Sequence, residues 1–130
     1  MSTTRSAAPT ISHIGQIAMN VYDVDRACEF YRDSLGLPLL FRAGQLAFFR
    51  CGETRLMLSA PEKPEFDHPS SILYFQVGDI KAAWTDMKAR GVNFIDEPHL
   101  VAKMPDHDLW MSFFKDSEGN TLALMCEMRR

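Results

Sequence analysis

Two stretches of this chain repeat one pattern, and that repeat limits the fold more than any other feature. Ile17-Ala-Met-Asn-Val-Tyr-Asp-Val-Asp-Arg-Ala27 aligns with Leu73-Tyr-Phe-Gln-Val-Gly-Asp-Ile-Lys-Ala-Ala83. Each begins as an apolar strand, reaches an X-Asp pair and passes into a helical pattern. Asp23 and Asp79 stand where an N-cap belongs, with a carboxylate free to accept N–H groups of the first turn. Past Asp23, apolar residues recur at Val24, Ala27, Cys28, Phe30, Tyr31 and Leu35, one face of a helix that Gly36 ends and Pro38 blocks. Past Asp79 the matching set is Ile80, Ala83, Trp84 and Met87, and Gly91 ends that helix.

Short strands follow each helix. In the first half they are Leu39–Arg42, Gln45–Cys51 and Thr54–Ser59, with turns at Ala43-Gly44 and Gly52-Glu53. In the second half they are Asn93–Leu100, Leu109–Phe114 and Asn120–Cys126, the last two joined by Asp116-Ser-Glu-Gly119. The predicted class is therefore α+β: two βαβββ modules in tandem, their curved mixed sheets around a cavity and a helix on each outer face. Module one covers residues 11–60, a Pro-rich linker residues 60–70 and module two residues 71–127, all within one domain, 11–127. Residues 1–10, small and polar, read as a disordered tail without the apolar segment of a signal peptide.

Composition agrees with a folded domain and excludes several partners. At 130 residues, 46% of them apolar, the chain can bury a real core. A net charge of −3 with no Lys/Arg run argues against nucleic acid, and no stretch is long and apolar enough to enter a membrane. Cys28, Cys51 and Cys126 are odd in number, far apart and without CxxC spacing, which fits small residues in a reducing compartment, so a cytoplasmic location is expected. Cys51, just before Gly52, is the one candidate reactive thiol, with no base or cation assignable beside it.

Ile14-Gly-Gln-Ile-Ala-Met-Asn-Val-Tyr-Asp23, Phe30-Tyr31 with Leu35-Gly36-Leu37, Val77-Gly-Asp79, Ala89-Arg-Gly-Val92 and Phe114-Lys-Asp-Ser-Glu-Gly-Asn-Thr-Leu-Ala-Leu124 together resemble the vicinal oxygen chelate superfamily, which groups glyoxalases, bleomycin resistance proteins and extradiol dioxygenases. The resemblance covers residues 11–127. It implies the fold, a frequent homodimer, and four inward metal-ligand positions on the first and last strands of each module. Here those positions hold Gln16, Met57, Ile72 and Ala123. One amide and three apolar groups cannot hold a divalent ion against water, so no metal and no cofactor are expected. A two-residue slip of the alignment would offer Arg55, Tyr74 and Met125, which rescue nothing. Glu53 and Glu127 share the inward parity but lie four residues off, about 13 Å along a strand. His99 and His107 flank a loop, Leu100–Asp106, expected over the cavity mouth; they are ordinary loop histidines or relocated ligands. His13 and His68 read as surface residues.

Strand alternation then names the pocket. Ile17, Met19 and Val21 should pack on the helix, leaving Gln16, Ala18 and Asn20 inward. The expected ligand pocket is Gln16, Asn20, Arg55 and Met57 from the first half, with Tyr74, Gln76, His107, Trp110, Ser112 and Thr121 from the second. A mixed apolar and hydrogen-bonding lining with one cation suits a small flat or aromatic molecule. The bland alternative is that these side chains close into a second small core, which would require buried partners for Gln16, Asn20 and Gln76. Paired inward carboxylates are missing and no nucleophile–base pair follows from spacing, so no catalytic residue is assigned. Arg42 and Arg55 are the candidate carboxylate holders. Three readings remain: a metal-free small-molecule binder, a metal-dependent lyase, isomerase or dioxygenase with relocated ligands, and a non-enzymatic dimerising subunit.

Overall fold

The two Asp residues of the repeat do cap helices. In the computed structural model, which describes residues 13–61 and 69–129, Asp23 accepts the Arg26 N–H and Asp79 accepts the Ala82 N–H. The expected tail and most of the linker, with His68, lie outside the described residues. The first module runs β1 (Gln16–Asn20), α1 (Val24–Glu29), a π-helical turn (Phe30–Ser34), β2 (Leu39–Ala43), β3 (Leu46–Cys51) and β4 (Thr54–Ser59). The second runs β5 (Leu73–Gln76), α2 (Ile80–Ala89), β6 (Asn93–Phe94), β7 (His99–Lys103), β8 (His107–Lys115) and β9 (Thr121–Arg129).

Each module makes its own sheet, in order β1-β4-β3-β2 and β5-β9-β8-β6, with β7 also on β8. The crossover strands β1 and β5 pair parallel with β4 and β9, and every other ladder is antiparallel. One expected strand, Asn93–Leu100, is two. Asp96 interrupts it by accepting the Phe113 N–H with its own carboxylate at 2.8 Å, and Pro98 has no N–H to give. The expected loop Leu100–Asp106 is mostly strand, since β7 reaches Lys103 and turns into β8 through 104–106.

One core serves both modules. Met19, Tyr31, Phe49 and Leu58 of the first pack in the same cluster as Ile80, Met87, Phe114 and Leu122 of the second. Each large side chain fully buried there contributes about 1.5–3 kcal/mol.

The modules are also clasped by polar groups. The β8–β9 turn of module two reaches the start of α1. There Glu118, its side chain 0% exposed, accepts the N–H groups of Tyr22 (2.9 Å) and Asp23 (2.8 Å) and both guanidinium donors of Arg26 (2.7 and 2.9 Å). Burial alone would raise this carboxyl; Arg26 and those N–H groups outweigh it and hold its pKa at about 2. Beside it, Asp116 accepts the N–H groups of Glu118 and Asn120 with one oxygen and the Tyr31 hydroxyl with the other, at 2.7 Å. Burial, then the Asp116 charge, push the Tyr31 phenol far above its ordinary range. Gly119, at φ +83°, turns the chain so that Asn120 Nδ2 reaches the Asn20 carbonyl of β1 at 3.0 Å.

Candidate functional site

Strand alternation leaves each sheet one face without a helix. On module one, register sets Gln16 beside Arg55, Ala18 beside Met57, Met57 beside Phe48 and Arg55 beside Arg50. The intervening residues Met19, Phe49, Leu56 and Leu58 are buried on the helix side, which fixes the parity. The expected inward orientation of Gln16, Ala18 and Asn20 follows, with Met19 and Val21 both 1% exposed on the opposite side.

Three of the expected pocket residues meet on this face. Arg55 Nε donates to Gln16 Oε1 at 2.7 Å, and Gln16 Nε2 approaches the Met57 sulfur at 3.8 Å. The Arg55 guanidinium lies 5.2 Å from the centre of the Phe48 ring, a cation–π contact, and Phe41 stacks on Phe48 at 4.4 Å. Phe41 remains 47% exposed. Phe41, Phe48 and Arg50 are absent from the residues expected by sequence. The period of β3 is hidden by its apolar run Leu46–Phe49, although the Gly52-Glu53 turn already implies that Arg50 faces Arg55.

On module two the helix-free face carries Tyr74, Gln76 and Thr121, with Phe113 set edge-on to Tyr74 at 6.0 Å. Trp110 and Ser112 do not join them. Phe113 pairs with Ala123 and so shares the face of Tyr74, which turns Ser112 and Trp110 to the helix side. Ser112 is 0% exposed and donates to the Asp96 carbonyl at 2.9 Å; Trp110 packs against the core, with Lys81 over its ring at 5.4 Å. A buried serine with a local acceptor looks, in sequence, like a pocket polar residue. Asn20 and Thr121 line a cleft of about 500 Å³ between the modules, beside Ser70, Ile72 and Glu118. The ten expected residues therefore form no single cluster within one chain.

The four positions implied by the family resemblance do not suit a metal. Gln16 supplies the sole oxygen, and that oxygen already faces a guanidinium, which repels a cation. Met57 offers a thioether, Ile72 an alkyl group, and Ala123 is buried with no donor. His99 and His107 do not converge either. His99 is paired with Met111, four residues along β8 from His107, so the two lie on the order of 13 Å apart. His107 Nδ1 meets Asp106 at 2.7 Å and His99 Nδ1 the Glu97 carbonyl at 2.9 Å. Among the described residues, no group of three or more His, Cys, Asp or Glu side chains could hold a metal ion. Burial pushes the Cys51 thiol up, and burial, partly countered by Arg42, does the same to Cys28, so neither is an activated thiolate. Arg42 itself is tied to Asp25 at 3.0 Å.

The sequence profile of the Glyoxalase/Bleomycin resistance protein/Dioxygenase superfamily matches residues 13–124. Among curated proteins, the uncharacterized protein YetH of Bacillus subtilis is 31% identical, the match covering 88% of this chain and 98% of that protein. The uncharacterized protein YraH of the same organism is 28% identical over 84% of this chain and 94% of its own length. Among solved structures, a lactoylglutathione lyase from Agrobacterium tumefaciens superposes with a TM-score of 0.71 at 24% identity, covering 91% of this chain and 96% of that one.

Proposed function

This chain belongs to the Glyoxalase/Bleomycin resistance protein/Dioxygenase superfamily, and from that premise we propose that it binds a small, flat or aromatic molecule without the family's metal. The observation that carries this reading is the helix-free face of module one. There a phenylalanine stack exposed on its Phe41 side, a thioether and a guanidinium bonded to Gln16 occupy the ground where metal donors would stand. Flat rings gain contact from such a lining, and the polar groups fix their orientation.

The cavity is completed in this proposal by a second copy of the chain. Phe41, Ile72 and Tyr74 are each more than 40% exposed in a single chain, apolar area that a partner would cover. The working compartment is the cytoplasm, which agrees with three unpaired cysteines. Among the described residues no helix is long and apolar enough to cross a membrane.

The test is metal retention followed by ligand mapping. Protein purified without tag or chelator is incubated with Zn, Ni, Co, Mn and Fe, desalted and assayed by elemental mass spectrometry. Well under one equivalent of every metal is expected. A naphthalene-based probe should then shift the amide resonances of β1, β3 and β4. One retained equivalent of metal, lost on His99→Ala or His107→Ala, would instead overturn the metal-free reading and move the search to lyase and dioxygenase assays.

A further inference from the structure

Seven arginines fall among the described residues, and five of them sit against a carboxylate: Arg26 on Glu118, Arg32 on Asp33, Arg42 on Asp25, Arg90 on Asp86 and Arg129 on Asp106. The other two are Arg50 and Arg55. They stand directly opposite each other across the β3–β4 ladder, on the helix-free face, and both are exposed. Like charges facing each other across a ladder are destabilising, the more so when no anion offsets them. In a protein of net charge −3, two facing cations with no described carboxylate beside them are unlike the other described arginines.

We infer that Arg50 and Arg55 hold the carboxylate of a planar aromatic acid whose ring lies along Phe48, Phe41 and Met57. This deepens the proposed function and rests on it, because it names the chemical class bound at the same face. Gln16 fixes the orientation of one guanidinium by accepting a hydrogen bond from its Nε–H at 2.7 Å, and no described carboxylate pairs with the terminal nitrogens of Arg55. A guanidinium presents a flat fork that matches a carboxylate in two parallel hydrogen bonds. Its neighbour across the ladder adds a second positive charge. The stacked Phe41–Phe48 pair, 20° from parallel, supplies an apolar surface next to that fork, and Phe41 still offers 47% of its area. The cation that the site provides is thus covalently part of the chain. It neutralises the ligand's charge and needs no bound ion.

The experiment compares acids with their uncharged amides by titration calorimetry at low salt, using 2-naphthoate against 2-naphthamide, benzoate against benzamide, and acetate as the anion without a ring. The expected result is that 2-naphthoate binds about 10- to 100-fold tighter than 2-naphthamide, the range for a charge-assisted pair, while acetate stays weak. Arg55→Met should abolish the difference, bringing 2-naphthoate down to the affinity that the same variant shows for 2-naphthamide; Arg50→Met should remove part of it. Circular dichroism and sedimentation of both variants check folding and assembly. Equal binding of acid and amide, with Arg55→Met silent, overturns the inference and leaves the small-molecule reading standing. Failure of every ring compound to bind overturns both. If the variants instead drive the protein to monomer and the acid never gains over the amide, the arginines pair with carboxylates of a second copy, and the inference is wrong.

Discussion

The turn Asp116–Asn120 and the helix-free face of module one are both rich in charge, and they treat it in opposite ways. At the turn both carboxylates are fully engaged: Glu118 accepts four hydrogen bonds from α1 and the segment before it, and Asp116 accepts from two N–H groups and the Tyr31 hydroxyl. On the face, Arg50 and Arg55 share a ladder position with no described carboxylate beside them, and aromatic area stays open. Buried polar groups with all partners present act as joinery, because any loss leaves an unpaired group away from water. Two like charges facing each other at the surface oppose the fold, even where one of them, Arg55, also bonds Gln16. The contrast separates residues that hold the modules together from residues available to a ligand.

The largest expected effect lies at the turn. Asp116→Ala strips the acceptor from Tyr31 Oη and from the N–H groups of Glu118 and Asn120 in a buried setting. A loss of about 3–5 kcal/mol in urea denaturation is expected, with the m-value unchanged. A loss below about 1 kcal/mol would break the contrast, since the turn would then be no more structural than the open face.

Acid should expose the same difference next. The Glu118 pKa is about 2 in the folded chain and returns to the ordinary value near 4.5 on unfolding. Its folded value is depressed, so its contribution is complete above the unfolded pKa and disappears as pH falls from about 4.5 through 2. The gap between the folded and unfolded values corresponds to a linked stability on the order of 3 kcal/mol. Glu118→Gln should lower stability at pH 7 and flatten the acid limb of the stability curve. An acid limb as steep as that of the parent protein would place the titrating group elsewhere.

What sequence can show and what it cannot follow from how far apart the interacting residues are. The repeat, both Asp caps, the parity of β1 and the Gly52-Glu53 turn are local patterns, and each appears in the structure as expected, while the turn expected at Ala43-Gly44 falls one residue later, at Gly44-Gln45. The Asp-Ser-Glu-Gly-Asn motif is legible as a turn. Its partners Tyr22, Asp23 and Arg26 lie more than ninety residues away, and no local pattern reports that. Sequence sets Ser112 and Trp110 on the opposite face from the one they occupy because Phe113 and Phe114 are both apolar, which leaves β8 without a visible alternation. Arg50 is within reach: a two-residue turn at Gly52-Glu53 fixes the pair Arg50–Arg55 by counting outward from Cys51–Thr54. The metal-ligand positions are readable as residue types. The Arg55–Gln16 bond, which sets a cation against the one oxygen there, needs coordinates.

The smallest expected effect has the opposite sign, and so sharpens the contrast most. Arg50→Met removes one of two facing positive charges while keeping a flexible apolar stem against the sheet. No described carboxylate loses a partner, because none is paired with Arg50. Stability should therefore stay level or rise by a few tenths of a kcal/mol, read as a melting midpoint about 1–2 °C higher at low ionic strength. Added salt screens the like-charge pair, so the gain should shrink toward zero between roughly 20 mM and 500 mM sodium chloride, following the fall in Debye length. A clear loss of stability would mean that Arg50 already has a structural partner, and the face would belong with the joinery. A gain on removal, in a fold that otherwise gives its arginines carboxylates, is the signature of a charge kept for something that binds.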